Sequence, residues 1–300
     1  MIYTVTLNPS IDYVVHMDSL VSGITNRTTG EEYYFGGKGI NVSNVLSELD
    51  LDSTALGFVA GFTGEALEKG VSNPRIKTDF IHLKEGMTRI NVKIKAGEET
   101  EINGQGPHID DEALAALMER VDAITDGDTI IIAGNVPNTM PDDIYEQILA
   151  RLDGRDVRIV VDATKQLLVN ALKFKPFLIK PNRQELTELF GVEVKSAEDT
   201  ERYARKLQEM GARNVLVSLG GEGAMLVDEN GETHQAGTIR RKVLNTVGSG
   251  DSMVAGFVAG YIKTGDYGYA LKLGSACGNA TAFSQGLAER ELIDELMTLF

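Results

Sequence analysis

Apolar runs of strand length alternate along this chain with amphipathic helical stretches, and that alternation narrows the fold more than any other feature. Thr129-Ile130-Ile131-Ile132-Ala133, Val157-Arg158-Ile159-Val160-Val161, Phe177-Leu178-Ile179 and Val215-Leu216-Val217 are short, rich in β-branched residues and nearly continuous in apolar character, as strands buried on both faces must be. From about Asp111 to Ile124, Pro141 to Leu152 and Ala197 to Met210, apolar residues recur at three- and four-residue spacing, which predicts helices with one buried stripe. Strand, helix, strand in succession predicts an α/β fold: a mostly parallel sheet with helices on both faces and ligands at the carboxyl ends of its strands. No repeat, low-complexity tract or long linker divides the chain, so residues 1–300 read as a single domain.

One stretch departs from this pattern. Arg89-Ile90-Asn91-Val92-Lys93-Ile94-Lys95 alternates strictly, turns near Gly97 and returns through Thr100-Glu101-Ile102-Asn103, a half-exposed antiparallel hairpin. Ile90, Val92 and Ile94 make an apolar side and Arg89, Asn91 and Lys93 a polar one, while Asp12 to His16 and Glu32 to Phe35 can add strands. Segments 11–18, 31–36 and 87–104 are therefore expected to form a small β-sheet lid over the site. Its apolar face predicts a homodimer through the lid.

Composition removes several function classes. With 42% hydrophobic residues in 300, the chain can bury a large core, and a formal charge of −15 leaves no broad basic face for nucleic acid. Any phosphate ligand must be held by a local cluster. A single cysteine, Cys277, excludes a disulfide framework and fits a reducing compartment, and none of His16, His82, His108 and His234 has metal-ligand spacing. No run is long enough to span a bilayer, so the expectation is a cytoplasmic protein without a membrane partner.

The chemistry concentrates in glycine-rich turns. In Asn245-Thr246-Val247-Gly248-Ser249-Gly250-Asp251, two glycines and a carboxylate open an apolar helix. Exposed N–H groups and the helix dipole would stabilise an anion there. Asp251 would repel a phosphate but can accept the proton of an attacking hydroxyl. An ordinary loop followed by a first-turn acid fits the same residues. Leu7 to Asp12 closes the first strand on a carboxylate able to accept two sugar hydroxyl hydrogen bonds, or on a plain turn aspartate. Gly36-Gly37-Lys38-Gly39-Ile40-Asn41 offers close backbone approach and one charge, and Arg27 and Arg89 are candidates for a substrate phosphate. Lys180-Pro181-Asn182-Arg183-Gln184-Glu185 could place Asn182 and Glu185 near a metal-bound phosphate or could simply cap a helix. Ser218-Leu219-Gly220-Gly221-Glu222-Gly223 is a nucleotide loop or a hairpin turn. Neither a Walker A sequence nor a Gly-x-Gly-x-x-Gly after the first strand is present.

Taken in order, Gly36-Gly37-Lys38-Gly39-x-Asn41, Lys180-Pro181-Asn182-x-x-Glu185, Ser218-x-Gly220-x-x-Gly223 and Asn245-Thr246-x-Gly248-Ser249-Gly250-Asp251 resemble the motifs of the ribokinase-like sugar kinases across nearly the whole chain. Leu7 to Tyr13, Thr88 to Ile94 and Thr100 to Gly104 are most similar to the phosphofructokinase B branch, the 1-phosphofructokinases in particular, with the tagatose-6-phosphate kinases as neighbours. The resemblance implies a ribokinase-like fold, ATP and Mg²⁺, and transfer to the free primary hydroxyl of a ketohexose phosphate, fructose 1-phosphate before tagatose 6-phosphate. It implies Asp251 as general base, with Gly248, Ser249 and Gly250 as the anion hole. Asp12, Gly37, Lys38, Asn41, Arg89, Asn103 and Arg27 fall at sugar-phosphate positions. Lys180, Asn182, Glu185, Ser218, Gly220, Gly223 and Asn279 fall on the nucleotide side, with Asn182 and Glu185 acting on Mg²⁺ through water. The family serine after Ala133-Gly134 is Asn135 here, which leaves that sugar contact open. A non-catalytic sugar-phosphate sensor is the alternative of another class, and the intact Asp251 weighs against it.

Overall fold

The structure, a computed structural model, describes residues 1–300. The first half of the chain runs β1 (Ile2–Thr6), β2 (Ser10–His16), β3 (Gly30–Gly36), α1 (Lys38–Glu48), β4 (Ser53–Ala60), α2 (Gly61–Val71), β5 (Ile76–Leu83), β6 (Arg89–Ala96), β7 (Glu98–Asn103), α3 (Asp111–Asp122), β8 (Thr129–Ala133) and α4 (Ile144–Leu152). It continues through β9 (Arg158–Asp162), α5 (Lys165–Ala171), β10 (Leu178–Ile179), α6 (Arg183–Phe190), α7 (Ala197–Glu209), β11 (Asn214–Ser218), β12 (Ala224–Val227), β13 (Thr233–Ala236), α8 (Ser249–Thr264), α9 (Tyr267–Ala282) and α10 (Arg290–Met297).

Nine strands form the main sheet in the order β13-β12-β11-β10-β9-β8-β1-β4-β5, and every pairing from β11 to β5 is parallel. β12 and β13 are antiparallel and close one edge. The apolar runs are continuous because successive residues enter different cores. Ile130 and Ile132 join Leu117 and Ile148 on one side, whereas Ile131 joins Val45 and Phe257 on the other. Phe177 to Ile179, which reads as a full strand, contributes only Leu178 and Ile179 to the ladder, since Pro176 precedes it and Pro181 ends it. No helix is long and apolar enough to cross a membrane.

A separate four-stranded sheet, β3-β2-β6-β7, is the expected lid. It mixes antiparallel pairs with the parallel pair β2–β6. Its register puts Tyr34, Asp12, Asn91 and Asn103 in one row across all four strands, and Tyr33, Tyr13, Val92 and Ile102 in the adjacent row on the opposite face. The apolar face is partly covered from within, because Ile11 and Phe35 pack on the cluster formed by Val59, Leu67 and Val71 and Ile94 is buried, while Tyr33 and Ile102 stay 65% and 58% exposed.

Candidate active site

Two helix starts meet at the carboxyl edge of the sheet. Gly37 (φ 127°) opens α1, and a Cβ there would lie 2.5 Å from Thr6 Cγ2, so only glycine lets the loop pass this close to β1. Gly248 (φ 82°) caps α8, where a Cβ would meet Leu287 Cδ2 at 2.6 Å. These turns bring Asn41 to Asp251, whose Oδ2 accepts a hydrogen bond from Asn41 Nδ2 at 2.8 Å. The amides of Gly248, Gly250 and Asp251 donate to no protein group, and the Ser249 hydroxyl is buried without a partner. Unpaired donors at a helix N-terminus therefore lie beside a buried carboxylate.

A second buried carboxylate, Asp162 at the end of β9, organises the cations. Lys38 Nζ donates to its Oδ2 at 2.8 Å, and Lys180 Nζ is 3.4 Å from its Oδ1. Lys180 lies against the anion loop, since a Cβ on Gly250 would be 3.0 Å from Lys180 Nζ. Burial raises the Asp251 carboxyl from its ordinary value to about 6, and the like charge of Asp162 adds to this, against the pull of Lys38, the Asn41 hydrogen bond and Lys180. Burial works the same way on Asp162, but Lys180 and Lys38 outweigh it and hold that carboxyl below its ordinary range. Lys38 is pulled down by burial, yet Asp162, Asp251 and Glu185 together hold it above the usual lysine value. Asp162 thus stays ionised near neutral pH while Asp251 is poised to take or release a proton.

On the sugar side, Asp12 lies within lid strand β2, as the expected lid segment 11–18 has it, and not at the close of β1, which ends at Thr6. Its Oδ1 accepts from Ser10 Oγ at 2.8 Å and Asn91 Nδ2 at 2.9 Å. The expectation of two free acceptor oxygens is thereby corrected: only Oδ2 is open, and Lys93 Nζ lies 3.3 Å from it. Asp12, Asn41 and Lys93 share the wall of a cavity of about 550 Å³ between the lid, α1 and residues 285–289. Arg89 Nε donates to the Asn8 carbonyl at 3.1 Å, and burial lowers its guanidinium against the pull of Asp12. Arg27 is exposed in the loop between β2 and β3, outside this cluster. Asn103 is exposed at the end of β7, and the buried asparagine in contact with Asp12 is its register partner Asn91. Asn135 is exposed after β8 and lies outside the cavity wall.

The ambiguous turns resolve as structure first. Asn182 and Glu185 form a capping box on α6: Asn182 Oδ1 accepts from the Glu185 amide at 2.8 Å, and Glu185 Oε2 accepts from the Asn182 amide at 2.7 Å. Glu185 Oε1 has no hydrogen bond, and the carboxylate acts electrostatically on Lys38. Ser218 to Gly223 is the β11–β12 hairpin turn, closed by the Leu219 amide donating to the Gly223 carbonyl, with Gly220 and Gly221 open to solvent. A parallel bridge joins Asn182 to Ser218, so the two turns adjoin at the carboxyl edge. Asn279 Nδ2 bonds its own helix at Ser275 O, 2.8 Å away. Asp162, Asn91 and Lys93 were absent from the expected site. The first could have been found as a carboxylate closing a buried strand, the others as the polar face of the lid hairpin.

The profile described as pfkB family carbohydrate kinase matches residues 5–293. A 1-phosphofructokinase of Bacillus subtilis is 45% identical over 297 residues, 99% of this chain and 97% of the relative. A D-tagatose-1-phosphate kinase of Bacillus licheniformis is 37% identical over 98% of this chain and 97% of the relative. Phosphofructokinase-2 of Escherichia coli, solved in complex with fructose-6-phosphate, superposes with a TM-score of 0.91 at 26% identity, covering 99% of this chain and 98% of that one. At 19% identity, a ribokinase of Arabidopsis thaliana still matches with a TM-score of 0.80 over 99% of this chain and 98% of that one, which shows the ribokinase-like fold.

Proposed function

The chain belongs to the pfkB family of carbohydrate kinases, and from that premise we propose that it phosphorylates the free primary hydroxyl of a ketohexose phosphate, fructose 1-phosphate in the first place. As a member of that family it is an ATP-dependent phosphotransferase. The observation that carries the reading is the pairing of Asp251, with its carboxyl raised to about 6, and the unpaired amides of Gly248 and Gly250. In this reading Asp251 takes the proton of the sugar hydroxyl as it attacks the γ-phosphoryl group of ATP. The free amides of Gly248 and Gly250, the unpartnered hydroxyl of Ser249, whose own amide donates to the Thr246 carbonyl at 3.3 Å, and the Lys180 ammonium then stabilise the charge on the group in flight. Asn41 orients the base, and Asp12 accepts a sugar hydroxyl through Oδ2.

Mg²⁺ fits the nucleotide side. Glu185 keeps one carboxylate oxygen free while the other caps α6, which suits an ion that retains most of its waters and takes the remaining ligands from phosphate. Glu185 and Asn182 would hold it through water, and it would neutralise phosphate charge. Ser218, Gly220, Gly223 and Asn279 belong to this side as the place for the nucleotide.

The test is a coupled ADP-release assay with Mg-ATP and, separately, fructose 1-phosphate, tagatose 1-phosphate, tagatose 6-phosphate and fructose 6-phosphate. The highest kcat/KM is expected with fructose 1-phosphate. Tagatose 1-phosphate is the second reading, favoured by the name of the Bacillus licheniformis relative. Turnover with none of the four would put an untested sugar or the sensor ahead. Arg89→Ala is expected to raise KM for the sugar phosphate about 10- to 100-fold and to leave KM for ATP nearly unchanged, because it holds the end that does not react, whereas Lys38→Ala, which removes a partner of Asp162 beside Asp251, is expected to raise the sugar-phosphate KM and to lower kcat as well. Initial rates with each substrate varied at a saturating level of the other check this, and an effect confined to KM for ATP would reverse the orientation of the site. In this reading Arg27, exposed in the β2–β3 loop, reaches a substrate phosphate across the dimer.

The row of Tyr33, Tyr13, Val92 and Ile102 supports a homodimer closed by lid packing on lid. Analytical ultracentrifugation should give a dimer at micromolar concentration and a monomer for Ile102→Asp. A monomeric wild type would remove the proposal.

A further inference from the structure

The inner face of the lid carries a charge that this reading leaves unused. The Lys93 side chain is only 11% exposed, and its ammonium lies 3.3 Å from Asp12 Oδ2 and 3.9 Å from Glu101 Oε1. Asp12 is held from behind, because Ser10 and Asn91 occupy Oδ1 and Asn91 Oδ1 in turn accepts from the Gly104 amide at 3.2 Å. One open acceptor oxygen therefore stands next to an ammonium with a donor to spare, both on the cavity wall that includes Asn41.

The geometry points to Lys93 and Asp12 as a paired reader of two neighbouring sugar oxygens, and so to Lys93 as a specificity-determining residue. An ionised carboxylate only accepts and an ammonium only donates. One sugar hydroxyl donates to Asp12 Oδ2 while the adjacent sugar oxygen accepts from Lys93, and this fixes the relative direction of the two. Inverting one of the carbons moves one oxygen away from its partner and leaves one charge-assisted hydrogen bond unmade in a poorly hydrated place, which is how a polar site rejects a near-identical ligand. Fructose 1-phosphate and tagatose 1-phosphate differ only in configuration at C4 and share the phosphate and the reacting O6, so neither Asp251 nor the phosphate contacts can separate them. Lys93 and Asp12 can.

This rests on the sugar-phosphate kinase reading and deepens it. The test is Lys93→Met, which keeps the aliphatic stem and removes the ammonium, with kcat/KM measured for both epimers. The better epimer is expected to lose about 10- to 100-fold, mainly through KM, and the ratio between epimers to shrink roughly tenfold. Lys93→Arg should restore part of the ratio, and KM for ATP should stay unchanged. Equal losses for both epimers, or no loss, would overturn the inference, since a merely structural lysine predicts no change in the ratio. Should the methionine variant lack a cooperative thermal transition, Lys93→Gln is read by the same criteria. A wild type that turns over neither epimer fails the assignment of a ketohexose 1-phosphate as substrate and takes this inference with it, whereas an active wild type whose epimer ratio survives the substitution fails this inference alone.

Discussion

Asp251→Ala is expected to lower kcat by about 10²- to 10⁴-fold, the range for a lost general base, while sugar-phosphate binding is largely retained. The variant removes the proton acceptor but leaves Asp12, Asn41 and Lys93 around the cavity. Because the carboxyl is raised to about 6, wild-type kcat/KM should climb about tenfold per pH unit below that value and level off above it. Stability runs the other way. A carboxyl that holds its proton more tightly when folded contributes stability that is fully present below its unfolded value and is lost as pH rises through about 6. Asp251→Asn should therefore abolish most turnover yet raise Tm at pH 7, by a few degrees. Undiminished turnover in the alanine variant would contradict the assignment of the base.

Asp162→Asn is expected to damage both stability and turnover. It removes the shared partner of Lys38 and Lys180, and the Lys180 pair is buried on both sides, with side chains 7% and 3% exposed. Breaking a buried pair by removing one member typically costs about 3–5 kcal/mol, because the remaining charge is left without compensation. Thermal denaturation should show Tm lower by about 5–15 °C. The same change removes a like charge from beside Asp251, so the acid limb of the pH profile should move to lower pH. A pH profile unmoved in a folded Asp162→Asn variant would mean that the two carboxylates do not sense each other. Loss of stability without a shift would confine Asp162 to a structural part.

Local pattern carried much of this structure. The run Thr129 to Ala133 coincides with β8, and α3, α4 and α7 begin and end within a few residues of their apolar stripes, because burial on both faces of a sheet and on one stripe of a helix writes itself directly into composition. The lid hairpin was legible from strict alternation, and its two other strands from their amphipathic sequence. Contacts between distant parts of the chain were not. Asn41 and Asp251 are separated by 210 positions, and Lys38 and Asp162 by 124. The role of Asp162 depends on β9 ending and α1 beginning at one edge, which no local window contains. Asp12 shows the same limit: its residue type announced an acceptor, but the occupation of Oδ1 by Asn91 arises only from the parallel β2–β6 pairing. Asn182 with Glu185 and the turn at Ser218 were ambiguous because a helix cap and a hairpin use the same residues as a phosphate site.

The most direct measurement is ³¹P NMR of the product formed from fructose 1-phosphate and Mg-ATP. The account predicts ADP and fructose 1,6-bisphosphate in equal amounts, with the new phosphate on O6 and its formation abolished in Asp251→Ala. ADP and inorganic phosphate without a bisphosphate, or bisphosphate formed at an undiminished rate by the variant, would contradict it.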